Sequence, residues 1–280
     1  MDTRKRRRNR LIAAVCLTLL LLIILAICLG IIFRSENGAS SSEVLKTTII
    51  SRCETYLQNN DPGSSESICN TLWMTFTKAF VGQDPCAVPP EAYNQLFQAI
   101  NNYPSCNRTL FWSKTKAISH KYTQEKKCLE TLEDTLLGNV MDGLTWCGKN
   151  NSNEIFTSGC PAWTECTMNP VRSFWDRSSG LIAEQTCGAA TVMLNGSIPT
   201  PFDPNSTFGR IEAKRLKYPL VSGLTVVLVT QTNVTSCEND SLQNLQRVLD
   251  QSLTYSCKVV LQSQILDCIS DPHMPCGKCW

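Results

Sequence analysis

The first pattern along the chain is a run without charge. Leu11 to Phe33, 23 residues rich in leucine and isoleucine, follows a cluster of arginines. At about 1.5 Å per residue, a helix of that length matches the roughly 30 Å hydrocarbon layer of a bilayer. It is longer than the apolar stretch of a cleavable signal, about 7–15 residues, and no small-residue cleavage site closes it. The pattern predicts a transmembrane signal-anchor over 11–33, with residues 1–10 as a basic tail kept cytoplasmic by its arginines. Residues 34–44, with Ser35, Gly38, Ser40, Ser41 and Ser42, read as a flexible stalk. From there to about residue 105 the apolar positions (Ile49, Ile50, Tyr56; Leu72, Trp73, Phe76, Phe80; Tyr93, Leu96, Phe97, Ile100) fall at helical intervals. They are broken at Asp61-Pro62-Gly63 and Asp84-Pro85-Cys86. Over 131–147, Leu132, Leu136, Val140 and Leu144 recur every four residues, which predicts one short helix buried by its leucines. The texture then changes. Thr191-Val-Met-Leu194 and Thr225-Val-Val-Leu-Val-Thr230 are β-branched runs suited to buried strands. A helical pattern around Leu242, Leu245, Val248 and Leu249 and a short run at Val259-Val260-Leu261 complete an alternation that predicts a small parallel α/β unit. No internal repeat is visible.

Composition narrows the class. With 280 residues, 42% hydrophobic and 18% charged, the chain can build one large domain or two smaller ones with real cores. The net charge of +2 misleads. Six of the 26 basic and one of the 24 acidic residues precede residue 11, leaving 20 basic against 23 acidic residues, or −3. The basic tail therefore reports membrane topology, and no nucleic-acid partner is expected. Of 16 cysteines, Cys16 and Cys28 lie in the apolar run and an even 14 follow it, as an oxidising compartment would favour. Six glycosylation sequons, at Asn107, Asn150, Asn195, Asn205, Asn233 and Asn239, also follow it. The last residues lack the apolar tail of a lipid-anchor signal. The expected placement is a single-pass type II protein of the plasma membrane with its large domain outside.

The candidate chemistry is set first by what is scarce. The two histidines, His120 and His273, have no metal-like spacing, so neither a histidine-based triad nor a zinc site is expected. Cys276-Gly-Lys-Cys279 has redox-motif spacing, which a cysteine-rich extracellular tail explains as structural half-cystines. No phosphate-binding glycine loop occurs. Carboxylates and tryptophans remain. Glu133 and Asp134 follow the good N-cap Thr131, Asp142 closes the same stretch, and Glu212 ends Asn205-Ser-Thr-Phe-Gly-Arg-Ile-Glu212. Trp112 and Trp175 each follow a phenylalanine. Singly, first-turn acids are ordinary helix chemistry and a Trp beside Phe is ordinary core. Together they suit glycosidic chemistry. A carboxylate stabilises an oxocarbenium sugar, and indole faces stack a flat base for about 1–3 kcal/mol each.

Thr131-Leu-Glu-Asp-Thr-Leu-Leu-Gly138, Thr145-Trp-Cys-Gly148, Val192-Met-Leu-Asn-Gly-Ser197 and Asn205-Ser-Thr-Phe-Gly209 resemble the signature stretches of the ADP-ribosyl cyclase/cyclic ADP-ribose hydrolase family. The likeness runs from about Cys53 to Cys276, and the apolar run at 11–33 matches the family's type II transmembrane branch.

The resemblance implies an α+β or α/β fold with a helical N-terminal lobe (45–105 with 131–186) and a small parallel-sheet C-terminal lobe (106–130 with 187–280). It implies an enzyme that consumes NAD, giving ADP-ribose and cyclic ADP-ribose, that hydrolyses cyclic ADP-ribose, and that exchanges nicotinamide on NADP, all feeding calcium signalling. NAD and NADP are then substrates, and no cofactor or metal is expected. Glu212 is implied to be the catalytic carboxylate, Trp112 and Trp175 to hold the substrate rings, and Glu133 to contact the nicotinamide carboxamide and balance cyclisation against hydrolysis. Asp142, Asp134, Ser113, Lys114, Ser179, Thr207 and Phe208 complete the substrate-binding candidates. Lys114 stands where the family often has arginine, which favours a point-charge phosphate contact over a bidentate one. The implied disulfides are Cys53–Cys69, Cys86–Cys166, Cys106–Cys187, Cys147–Cys160, Cys237–Cys257 and Cys268–Cys276, with Cys128 and Cys279 left over to pair with each other or between subunits of a homodimer. A reading from another class is a cell-surface receptor or adhesion module on the same fold. Retention of Glu133, Trp112, Trp175 and Glu212 together argues against it.

Overall fold

Four residues recurring every fourth position, Leu45, Ile49, Cys53 and Leu57, give the helix Ser41–Asn60 its buried stripe. The structure is a computed structural model that describes residues 41–60, 66–100, 103–231 and 235–280. The expected signal-anchor over 11–33 and the sequon Asn233 lie outside the described residues. Among the described residues, no helix is long and apolar enough to cross a membrane.

Helices Ser41–Asn60 and Glu66–Lys78 are joined by Cys53–Cys69 and pack with the short helix Asn94–Ala99 around one core. Its centre is aromatic. Phe76 meets Trp146 edge-on at 5.0 Å, and Phe174 meets Tyr93 and Trp146 at 5.5 and 5.6 Å. The two polar atoms buried there are paired: Trp146 Nε1 donates to the Tyr93 hydroxyl at 2.9 Å, which donates to the Pro170 carbonyl at 3.0 Å. Such pairing is what lets indole and phenol sit in a dry core.

The second part is a four-stranded parallel sheet in the order β1 (Leu110–Ser113), β4 (Gly188–Asn195), β5 (Val221–Thr230), β6 (Thr254–Leu261). The short hairpin β2 (Cys147–Lys149) and β3 (Ser152–Phe156) is a separate antiparallel pair. The sheet's side chains alternate. Phe111, Val192, Leu194, Val226 and Leu228 face a core that includes Ile182, Phe208 and Leu242. Leu110, Met193, Val227, Val229 and Val260 face the opposite core, with Ile118, Tyr122 and Ile265. A parallel sheet covered on both faces explains why β4 and β5 read as continuous apolar runs. The helix Pro170–Gln185 belongs to both parts: Phe174 lies in the first core and Ile182 and Ala183 in the second. It starts where its signals lie, with Asn169 Oδ1 accepting from the Arg172 N–H and Pro170 in the first turn.

Three expectations need correction. Residues 131–147 do not form one helix. A 3-10 turn, Leu132–Asp134, is followed by a separate helix, Leu136–Met141, capped by Thr135 and ended by Gly143 at φ +72°. The carbonyl of Leu132 occupies the space beside Gly138, where a Cβ would sit 1.9 Å from it. The four-residue spacing of Leu132, Leu136 and Val140 thus arises from a turn folded against a helix. The other two concern the cysteine tail. Five bridges pair as implied, but Cys128 bonds Cys276 and Cys268 bonds Cys279, in place of Cys268–Cys276 and Cys128–Cys279. The segment after helix Gln262–Ser270 wraps around Lys126, whose ammonium donates to the carbonyls of Cys268, Asp271 and Met274. That turn returns Cys276 to the half-exposed Cys128, while Trp280, packed on Tyr122 at 4.7 Å, draws Cys279 into the core beside buried Cys268.

Candidate active site

A cleft of about 420 Å³, within the range that encloses small-molecule ligands, opens at the carboxyl end of β1. Strand β1 delivers Trp112 and Ser113 to it. The chain then turns at Lys114, φ +59°, and brings Lys114 and Lys116 to the rim. The 3-10 turn adds Glu133, and the end of helix Leu136–Met141 adds Asp142. Helix Pro170–Gln185 adds Trp175 and Ser179, four residues apart and so on one face. The segment after β4 adds Asp203, Ser206, Thr207, Phe208 and Glu212.

Glu212 ends a π-helical turn, Phe208–Glu212, whose wide winding carries the carboxyl into the floor. The turn is fixed from behind. Arg210 grips Asp176 with two bonds of 2.6 and 2.9 Å, and Arg215 donates to the Ile211 carbonyl at 2.8 Å and pairs with Glu184 at 3.0 Å. Gly209 is required by contact: a Cβ there would lie 2.4 Å from the Asp203 carbonyl. Glu212 is buried, and burial pushes its pKa up to about 8. A hydrogen bond with Ser179 pulls the other way, and the charges of Glu133 and Asp176 add to the rise.

Glu133 has the opposite setting. Burial disfavours its charge, but the neighbouring His120 imidazole and the Trp112 indole outweigh that and hold the carboxyl below its ordinary range. Trp112 Nε1 lies 3.2 Å and His120 Nε2 3.3 Å from the same oxygen, Oε2. Asp142 pairs with Lys116 at 2.8 Å, and Arg52 donates to the Val140 and Asp142 carbonyls, fixing that helix end. Lys114 faces Asp203 at 3.5 Å.

The cleft therefore gathers Glu212, Glu133, Trp175, Trp112, Asp142, Ser113, Lys114, Ser179, Thr207 and Phe208. Asp134 does not line it. Its carboxylate is absorbed in the capping box, accepting from the Thr131 N–H at 2.8 Å and hydroxyl at 2.9 Å. Sequence reasoning missed Lys116, Asp203, Ser206, the rim indole Trp163 and, behind the wall, His120. Lys116 and Asp203 sit two residues from stretches already singled out, a proximity that could have marked them. Among the described residues, no group of three or more His, Cys, Asp or Glu is placed to hold a metal ion.

A carboxyl buried on a covered α/β framework, with a second carboxylate and two indoles lining the same cleft, suits a nucleotide- or sugar-handling protein. A family model described as ADP-ribosyl cyclase matches residues 42–277, and the chain belongs to that family. Rat ADP-ribosyl cyclase/cyclic ADP-ribose hydrolase 1 is 34% identical over 85% of this chain and 81% of its own length. The rabbit protein of the same name is 32% identical over 95% and 90%. Among solved structures, porcine CD38 carrying a covalent intermediate, ribo-F-ribose-5'-phosphate, superposes with a TM-score of 0.73 at 37% identity, covering 80% of this chain and 99% of that one. Aplysia cyclase with the substrate NGD and product cGDPR superposes at 0.70, 26% identical, covering 82% and 94%.

Proposed function

We propose that this protein cleaves the nicotinamide–ribose bond of NAD, releasing nicotinamide and passing the ADP-ribosyl group to water or to its own adenine. The observation that carries this reading is the convergence of Glu212, Glu133, Trp112 and Trp175 in one cleft. The family membership and the covalent intermediate held by porcine CD38 support it. Trp112 and Trp175 hold the flat rings, and Lys114, Ser113, Ser179, Thr207 and Phe208 receive the phosphates and ribose. The cationic nicotinamide ring counters the burial that keeps Glu212 protonated, so substrate entry favours the carboxylate. As the glycosidic bond breaks, its electron pair leaves with nicotinamide, and the Glu212 carboxylate stabilises or traps the oxocarbenium carbon. Attack by water gives ADP-ribose and a proton; attack by an adenine nitrogen gives cyclic ADP-ribose. Water attack on cyclic ADP-ribose, and exchange of nicotinamide for another pyridine on NADP, use the same intermediate. NAD is consumed and no cofactor is called on.

The helical lobe and the α/β lobe flank the cleft in this reading. The apolar run at 11–33 supports an anchor that leaves the cleft outside the cell, and the exposed sequons Asn107, Asn150 and Asn205 suit glycosylation there. The test is nicotinamide release from NAD by residues 45–280, beside Glu212→Gln. Release by the parent and a fall of about 100-fold or more in a folded variant are expected. A well-folded parent that released none would favour the receptor reading.

A further inference from the structure

His120 lies outside the cleft, yet it is tied to the cleft's second acid. It sits on helix Lys116–Lys126, Trp112 sits on β1, and Glu133 sits in the 3-10 turn, so three separate elements meet at one carboxylate. The His120 and Glu133 side chains are only 16% and 12% exposed. Nε2 of His120 is buried and, among the described residues, makes no hydrogen bond; Glu133 Oε2 stands 3.3 Å away. A neutral imidazole carries one N–H, and a lone pair aimed at a carboxylate oxygen would repel it. The tautomer that fits therefore has its proton on Nε2. The imidazole also meets the Trp112 ring edge-on, 5.7 Å between centroids and 88° between planes. One oxygen of Glu133 thus accepts the Trp112 N–H at 3.2 Å and lies 3.3 Å from the His120 nitrogen, with the two rings in edge-on contact.

We infer that His120 is a positioning residue that, with Trp112, holds Glu133 in a single orientation and so sets how the ADP-ribosyl intermediate is shared between water and adenine. The inference rests on the proposed reading of Glu133 and Glu212. Cleavage needs only that Glu212 face the reacting carbon. Partition depends on how the freed end of the substrate and the water are held, and a fixed second carboxylate in the cleft constrains both. A Glu133 whose Oε2 was no longer held would sweep several rotamers and hold neither capture geometry well.

The test uses the full chain and reads two quantities. In the first, the ratio of cyclic to linear product from NAD is measured for parent, His120→Leu and His120→Gln, each with and without Glu133→Gln. Leucine is expected to move the ratio by about threefold or more, while glutamine, whose amide N–H reaches the same place, returns it toward the parent; in the Glu133→Gln background leucine adds nothing. An unchanged ratio, failure of glutamine to restore it, or the same shift without Glu133 would overturn the inference. Misfolding alone would not give rescue by glutamine. In the second, long-range 1H–15N spectra report the imidazole tautomers. The chain has only His120 and His273, so a His273→Asn variant assigns them. A proton on Nε2 of neutral His120, loosened to a mixed tautomer by Glu133→Ala, is expected; a proton on Nδ1 in the parent would overturn the contact. A parent that released no nicotinamide would sink the NAD reading, and the tautomer would still decide whether His120 holds Glu133.

Discussion

The two carboxylates of the cleft are of one type and have opposite surroundings. Glu212 sits on a π-helical turn in an apolar floor, with one hydroxyl as its hydrogen-bond partner and two acids nearby, and it holds its proton to about pH 8. Glu133 sits on a 3-10 turn in a wall that supplies an indole N–H and an imidazole, and it gives its proton up early. Burial alone would raise both. What separates them is the company each keeps, an indole and an imidazole beside Glu133 against one hydroxyl and two acids beside Glu212, and this lets one cleft hold an acid and a carboxylate near neutral pH. The supports also match. Each acid lies on a short turn kept in place by a motif glycine whose Cβ space is filled by backbone, Gly209 behind Glu212 and Gly138 behind Glu133.

The largest effect expected is on chemistry at the floor, where Glu212→Gln removes about 100-fold or more of nicotinamide release while the variant stays folded. Residual release within about tenfold of the parent would move the central role to the wall. Next come the glycines. Gly138→Ala and Gly209→Ala each force backbone apart and should cost about 1–3 kcal/mol, read as a drop in Tm of about 2–4 °C per kcal/mol. The comparison sharpens if Gly209→Ala slows nicotinamide release while Gly138→Ala moves the product ratio, and it breaks if both act alike. A pH series on melting tests the floor separately. Between the ordinary carboxyl pKa of 4.5 and about 8, the folded chain keeps a proton at Glu212 that the unfolded chain has released. That contribution to stability is complete below 4.5 and is lost as pH rises to about 8. Glutamine has no such proton, so Glu212→Gln should gain in Tm over the parent from pH 5 to pH 8. Parallel curves would show the carboxyl ionising freely when folded. The smallest effect belongs to Asp134→Ala, which removes a cap for about 0.5–2 kcal/mol and should act on Tm, because Asp134 faces Thr131 and not the cleft.

Legibility followed the range of the interactions. Helix Ser41–Asn60 and strands β4 and β5 could be read because their periodicity is local and both sheet faces are covered. The break at Thr135 could not, because the spacing of Leu132, Leu136 and Val140 is the same whether one helix or a folded-back turn presents it. Strand β1 has four residues, too few for alternation to show. The cleft was legible through Glu133 in its signature stretch and, for Trp112, Trp175 and Glu212, through what the resemblance implies, and all four meet there. Trp163 and His120 were not, since a loop and a helix deliver them from parts of the chain with no pattern of their own. The cysteine tail was misread for a similar reason: Lys126, 142 residues from Cys268, decides its path.

Because one rigid rod, Pro170–Gln185, is rooted in both cores, it acts as a common beam for any breathing of the cleft. Trp175 and Ser179 stand about 6 Å apart along that rod and keep their separation however the two cores tilt. Trp112 rides on the sheet instead. The spacing of the two indoles is then set by how the rod lies against the sheet, in the core that Phe111 shares with Ile182 and Ala183.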